Sequence, residues 1–513
     1  MRPVRNMKKS TIHKAKLNIL TTLVSQLTAT ACGIVIPRVM IGTFGSSVYG
    51  LITSITQFLS YISLLEGGIG RVARAELYGP LAQGNDYEVS RVYHAIKHFF
   101  KIVGIAFLFY TLALSFVYYD IAKVDVLARW DVFYLIWIIS SITLAKYMGG
   151  LANLTLMNAN QKQYVGNVIV MSTTIVNAVL IIVLTQLGCS VFAVKIGSSL
   201  AYVAQPLCYA LYVRKHYRLT NVGKDRSELK QKWTGVGQHV AFFLHTNTDV
   251  VLLTLFAEIR LVAVYSVYRL VAASIRKIAS SFTGGMEAAF GELIARKEDT
   301  ALRTSFRKYQ FLISAVSMVL FGTAAVMIIP FVRLYTEGIT DAPYIQPLFA
   351  MMLIGAEALD CVIHPCCSLP VAANQLKQSR SGSYTEAAVN IGLSLLLIRW
   401  NPLLGIAIGT LAAAIVKSVY YIIYSARKIL KVRVMEVMKN FLFNCVILGL
   451  CSFVGMTLLT EQMIPNYFSW ALWSAAACAI VTAATLVMSV LLYPNELKAL
   501  VRSVLHGKIR GRK

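Results

Sequence analysis

The chain has 513 residues, of which 57% are hydrophobic and only 14% charged, and its mean hydropathy is +0.64. Soluble domains carry about 25% charged residues, so this composition excludes a soluble enzyme or binding module and leaves no stretch for a separate soluble domain. The net charge of +26 first suggests nucleic acid. The bases sit in alternating loops instead of one patch or tail, however, which the positive-inside rule explains without a polynucleotide.

The N-terminus, MRPVRNMKKSTIHKAK, precedes a long apolar run in the manner of a signal peptide. That run continues past Cys32 to about Ile41, too long for a signal core and without a small-x-small cleavage site, so it is read as a retained first span. Thirteen further apolar stretches of spanning length follow. The fourteen predicted spans are 17–41, 47–70, 95–119, 131–154, 165–187, 190–213, 236–258, 261–286, 310–332, 344–369, 384–400, 403–424, 440–460 and 467–492. The nine cysteines lie mostly inside these runs, with no CxxC and no metal spacing, and read as small core residues.

With the N-terminus taken as cytoplasmic, 38 of the 49 Lys and Arg fall in cytoplasmic segments and five in segments on the other side. Lys97, Lys101, Lys146 and Arg399 are counted with the segments next to their spans, and the other six, Arg38, Lys195, Arg269, Arg276, Lys277 and Lys417, are assigned to the spans themselves. The bias places both termini in the cytoplasm. Residues 49–77 also repeat at 265–293, pairing Tyr49 with Tyr265, Gly68 with Gly284 and Glu76-Leu77 with Glu292-Leu293. A weaker echo sets Asp86, Val89 and Tyr93 against Asp299, Leu302 and Phe306. Six spans per copy is an even number, so the copies share one orientation and predict two bundles related by an axis along the membrane normal. The expected organisation is a basic N-terminus (1–16), an N-terminal six-helix bundle (17–213), a basic linker (214–235) and a C-terminal six-helix bundle (236–424). A basic loop (425–439), two extra helices (440–492) and a basic tail (493–513) follow. The fold class is an all-α polytopic membrane protein.

Polar residues inside the spans are the candidates for function. Span 1 carries Asn18, Thr22, Gln26, Gly33 and Pro37 at helical spacing, and span 2 carries Thr53, Gln57, Ser60 and Gly67. These stripes suit either close helix packing or a cavity wall. Span 7 has His245 and Asp249 at i and i+4, and Arg269 on the next helix is the expected partner of Asp249, as a structural tie or as part of an ion site. Span 8 places Arg269 and Arg276 two turns apart on one face, with Lys277 adjacent. Guanidinium forks suit phosphate oxygens and lysine supplies a point charge, so the three are candidates to receive a diphosphate. The plainer alternative puts Arg276 and Lys277 at the membrane interface; alignment of Arg276 with Ser60, well inside span 2, argues against it. Span 10 brings Glu357, Asp360 and His364 to i, i+3 and i+7, a set suited to proton coupling or to a kinked helix with a wet face. Lys195 is placed to snorkel, whereas the deeper Lys417 calls for a carboxylate partner.

The segment GIVIPRVMIGTFGSSVYGLITSITQFLSYISLLEGGIGRVARAEL (33–77) resembles the start of Wzx-type polysaccharide flippases. The segment NTDVVLLTLFAEIRLVAVYSVYRLV (247–271), with FGEL at 290–293, is similar to the start of their second half. The resemblance covers the whole chain and extends to the superfamily that contains multidrug (MATE) and lipid II (MurJ) exporters. It implies fourteen helices, as two six-helix bundles plus two. It also implies export, by alternating access, of an undecaprenyl-diphosphate-linked oligosaccharide from the cytoplasmic to the outer leaflet of a bacterial inner membrane. Coupling to H+ or Na+, and partnership with a polymerase and other glycan-assembly proteins, follow from the same resemblance. By position, Arg38, Arg269, Arg276 and Lys277 are the expected substrate cations. Gln26, Gln57 and His245 are the expected polar cavity residues, and Asp249, Glu357 and Asp360 the expected ion-coupling carboxylates. No catalytic residue, metal or cofactor is expected. The MurJ pattern fits less well, because between Leu17 and Ile41 only Arg38 is charged. A glycan polymerase or ligase would need an extramembranous face, yet the non-cytoplasmic loops are short. No P-loop, GxSxG or HExxH is present. A MATE-type cation exporter would call for an acidic cavity.

Overall fold

The computed structural model describes residues 4–66, 69–220, 222, 236–283, 286–457 and 463–492. Among them every regular element is helical. The chain divides into two compact units, Met1–Ala263 and Val264–Lys513, a division that falls beyond the basic linker and inside a helix.

In the first unit, α1 (Val4–Phe44) meets α2 (Ser46–Ser60) at Gly45, whose φ of 84° reverses the chain in a region that glycine enters without penalty. A 3-10 turn (Tyr61–Glu66) follows, then α3 (Ile69–Gln83) and α4 (Asp86–Ile121). The Asn85 side chain caps α4 by accepting the Glu88 amide at 3.1 Å. Next are α5 (Arg129–Ala145), a π turn (Lys146–Gly150), α6 (Leu151–Ala159), α7 (Gln163–Gln186), α8 (Val191–His216) and α9 (Val236–Phe256).

The second unit takes most of α10 (Ile259–Ser280), then a 3-10 turn (Ser281–Thr283), α11 (Met286–Ala295) and α12 (Asp299–Tyr335). It continues through α13 (Pro347–Val362), α14 (His364–Ala372), α15 (Leu376–Leu397), α16 (Pro402–Tyr424), a π turn (Ser425–Leu430), α17 (Val434–Thr457) and α18 (Tyr467–Leu492).

Every predicted span overlies one of these helices. Eleven are long and apolar enough to cross a membrane, which makes this a multi-pass membrane protein. The three that miss that standard correspond to spans 7, 8 and 11. Two of these, α10 and α15, carry Arg269, Arg276, Lys277 and Glu386, and charge is what lowers their hydropathy.

Local structure extends the internal repeat well past the residues that carry it in the sequence. α4 and α12 begin at Asp86 and Asp299, α6 and α14 at Leu151 and His364, and α7 and α15 at Gln163 and Leu376, each pair 213 residues apart. Val89, Tyr93, Leu302 and Phe306, members of the weaker echo, are all buried. The copies of span 2 agree as well: α2 and α10 each run into a 3-10 turn and then a further helix.

Close packing of α15 on α16 depends on Gly405 and Gly409. A Cβ at Gly409 would stand 2.2 Å from the Ser394 Oγ and 2.9 Å from the Asn390 carbonyl oxygen; one at Gly405 would stand 2.7 Å from the backbone of Leu397 and Ile398. Gly409→Val should therefore force the helices apart and destabilise the second unit by about 1–3 kcal/mol, read as a lower melting temperature in detergent. Gly392→Ala, on α15 but with nothing within 4 Å of the added Cβ, should not lower the melting temperature.

Candidate functional site

The polar stripes of the first unit resolve into helix packing at several positions. Asn18 of α1 donates to the Gln161 carbonyl (3.2 Å) and accepts the Tyr164 amide (2.8 Å). Thr22 accepts from Asn167 of α7 at 2.8 Å. Gln57 of α2 donates to Asn247 of α9 at 2.7 Å and to Ser60 at 3.1 Å, while Ser54 and Thr254 share a 2.6 Å hydrogen bond. These contacts satisfy side chains that would otherwise be costly in hydrocarbon. Gln26, on the same stripe, is exposed, and Arg38 is half-buried on α1. Asp249 of α9 is buried, with the ring of Tyr61 nearby. The side chain of His245 lies outside the described residues.

The second unit gathers the ionic residues. Arg269 and Arg276 are seven apart on α10, so they point the same way. Glu357 and Asp360 are three apart on α13 and meet them. Glu357, 4% exposed, uses both oxygens: Oε1 accepts from Arg269 Nη1 and Oε2 from Arg276 Nη1 at 3.0 Å. The other arm of the Arg276 fork, Nη2, reaches Asp360 Oδ2 at 2.7 Å. Asp360 Oδ1 then takes Lys417 Nζ of α16 at 2.6 Å, and Lys417 reaches Glu386 of α15 at 3.1 Å.

This is one continuous chain, Arg269–Glu357–Arg276–Asp360–Lys417–Glu386, of three cations and three carboxylates. Its formal charge is zero. Unpaired, each of these groups would be expensive inside a membrane. Paired, their desolvation cost is offset by short contacts in a low-dielectric setting. Where α13 gives way to α14, a break at Ile363 with Pro365 just beyond, His364 Nδ1 lies 3.2 Å from the Tyr309 hydroxyl. The helix of span 10 is thus interrupted, and His364 lies within reach of α12.

Arg269, Arg276, Glu357 and Asp360 are therefore brought together. The sequence divides them into substrate cations and ion-coupling acids; in the fold they form one assembly. Lys277 does not join it. One residue past Arg276 it is rotated by about 100° around the helix, and it is exposed. Lys417 has the carboxylate partners that its depth requires. Glu386 is a member that the sequence candidates omit. Its signal is a lone acid at the start of the apolar run 384–400.

The repeat shows that this chemistry belongs to the second copy. Thr173 stands 213 residues before Glu386, and it accepts a hydrogen bond from Gln205 at 2.6 Å, a neutral pair where the second unit has an ion pair. Tyr147 stands 213 before Asp360, and its hydroxyl donates to Glu66 at 2.5 Å.

No protein-family model matches the sequence, and no curated protein matches it closely enough to count as a relative. Solved structures do match in fold. A lipid II flippase MurJ in an inward closed conformation superposes with a TM-score of 0.68 at 14% identity, covering 94% of this chain and 99% of that one. An inward-facing MATE multidrug transporter of the MOP superfamily gives 0.52 at 14% identity, over 85% of this chain and 96% of that one. A point mutant of the Vibrio cholerae MATE transporter VcmN gives 0.53 at 15% identity, over 82% of this chain and 99% of that one. The chain thus has, along nearly its whole length, the fold shared by MurJ and MATE transporters.

Proposed function

We propose that this protein flips an undecaprenyl-diphosphate-linked oligosaccharide repeat unit, destined for O-antigen, capsule or exopolysaccharide, across a bacterial cytoplasmic membrane. It would work by alternating access with ion coupling, with fourteen spans and both termini cytoplasmic. The observation that carries this reading is the pair Arg269 and Arg276, held side by side on α10 by one carboxylate. Two guanidinium forks are suited to a diphosphate and have no use in a site for organic cations. The MurJ-type fold supports a lipid-linked cargo, and the Wzx-like segments support an oligosaccharide on it.

A lipid II flippase is the nearest alternative on fold. The single charge in the span-1 core, Arg38, weighs against it. A MATE-type drug antiporter is less favoured, because the ionic network is neutral and not acidic. A polymerase or ligase would require an extramembranous catalytic face.

The test uses the purified full chain in lipid vesicles with a fluorescent polyprenyl-diphosphate oligosaccharide and an impermeant quencher. Protein-dependent movement of that lipid between leaflets is expected. Movement of lipid II alone would favour the MurJ-like alternative, and accumulation of a cationic dye without lipid movement would favour the drug antiporter.

A further inference from the structure

Glu357 is the centre of the ionic network, and its geometry points to a role other than the ion coupling expected of it from the resemblance. Its two oxygens each hold one guanidinium, from Arg269 and from Arg276, in the arrangement that two oxygens of a phosphate would adopt. We propose that Glu357 is a built-in stand-in for the cargo's diphosphate, and that it takes up a proton when the cargo displaces it. This rests on the diphosphate reading above and adds how the site behaves when empty and when filled.

Two physical arguments lead there. First, an empty carrier with bare arginines in its membrane-embedded part would pay a large desolvation cost, and the Glu357 bridge removes it. Second, the six-group network is already neutral, so an arriving diphosphate adds negative charge to a balanced cluster. Once Arg269 and Arg276 turn to the phosphate oxygens, Glu357 is a 4% exposed carboxylate that has lost both cations. Such a group neutralises itself by binding a proton.

The titratable and charged groups around it are these, and of them His364 also lies within electrostatic reach of Asp360, Arg276 and Lys417. Asp360 and Cys361 share its helix. His364 of α14 faces Tyr309 of α12. Lys417 of α16 is already divided between Asp360 and Glu386 of α15. The acid of α17, Glu436, lies in the first turn of that helix, paired with Arg307 of α12 at 2.7 Å, with Lys439 one turn on. The proton therefore travels with the anion and trims the charge being moved. An ion that drives export would have to bind elsewhere, as at Asp249.

The experiment is calorimetric titration of the purified full chain with farnesyl diphosphate, in buffers of different ionisation enthalpy. It is run at about pH 8, above the second phosphate ionisation near 6, so that the ligand brings no proton of its own. The expected result is uptake of about one proton per diphosphate bound by the wild type, with affinity rising as pH falls. Glu357→Gln should bind at least as tightly, about tenfold more tightly if the bridge competes fully, with no proton uptake. Binding without uptake, or equal uptake in Glu357→Gln, overturns the proposal and leaves the transport reading standing. Absence of binding in both proteins overturns the diphosphate reading and this proposal with it. If Glu357→Gln does not fold, His364→Gln takes its place: uptake that persists supports Glu357 as the acceptor, and uptake that is lost overturns the proposal.

Discussion

Replacing Arg276 by alanine will abolish the proposed glycan export and lower stability by about 2–3 kcal/mol. That is less than the full effect of breaking a buried ion pair, because the side chain is about one-third exposed. The two fork arms of Arg276 hold two different carboxylates, Glu357 at 3.0 Å and Asp360 at 2.7 Å. Its loss leaves Glu357 with Arg269 alone and Asp360 with Lys417 alone, and it removes one of the two proposed phosphate ligands. Arg276→Lys separates the two consequences. A point charge keeps the cluster neutral and recovers most of the stability, but it cannot reproduce the fork, so export should remain well below normal. Lys277→Ala, one residue away on an exposed face, should export normally. The measurement is surface glycan in a flippase-null cell, normalised to protein level, alongside melting in detergent. Normal export by Arg276→Ala at normal protein level would remove the diphosphate site from α10.

Lys417→Met will destabilise the second unit more, by about 3 kcal/mol, because it leaves Glu386 without its cation at 6% exposure. The double change Lys417→Met with Glu386→Gln should recover most of that loss, since it removes both charges together. Asp360 keeps Arg276 throughout, and neither altered residue is assigned to the cargo, so the double variant should also recover export. A double-mutant cycle on melting checks this. Additive effects would mean that the 3.1 Å contact between Lys417 and Glu386 carries no coupling energy.

These two residues show where reading the sequence stops. Glu386 and Lys417 lie on adjacent helices; Glu386 is the lone acid of its apolar run and Lys417 the lone charge of its own. Helical periodicity gives the face on which each side chain sits but not the helix that the face meets. That meeting is set by Gly405 and Gly409, which admit α15 close to α16, and glycine spacing does not name its partner in advance. Arg276 is the opposite case. The repeat aligns it with Ser60, which argues for a place within a span, and the structure pairs it with two carboxylates, Glu357 and Asp360. Asn18, Thr22 and Gln57 take a middle course. Packing and cavity are equally good readings from sequence, and hydrogen bonds to Gln161, Asn167 and Asn247 favour packing.

The sequence by itself determined that this is a multi-pass helical chain with an internal duplication, and which side chains stand inside apolar runs. Those properties are local, set by hydropathy over about 20 residues and by the periodicity of one helix. Only the tertiary structure decided that Arg269, Arg276 and Lys417 and three acids form a single neutral network, with Glu357 at its centre. Ion pairing depends on side chains from four helices meeting at distances near 3 Å. That is a property of how the helices pack and of none of them alone.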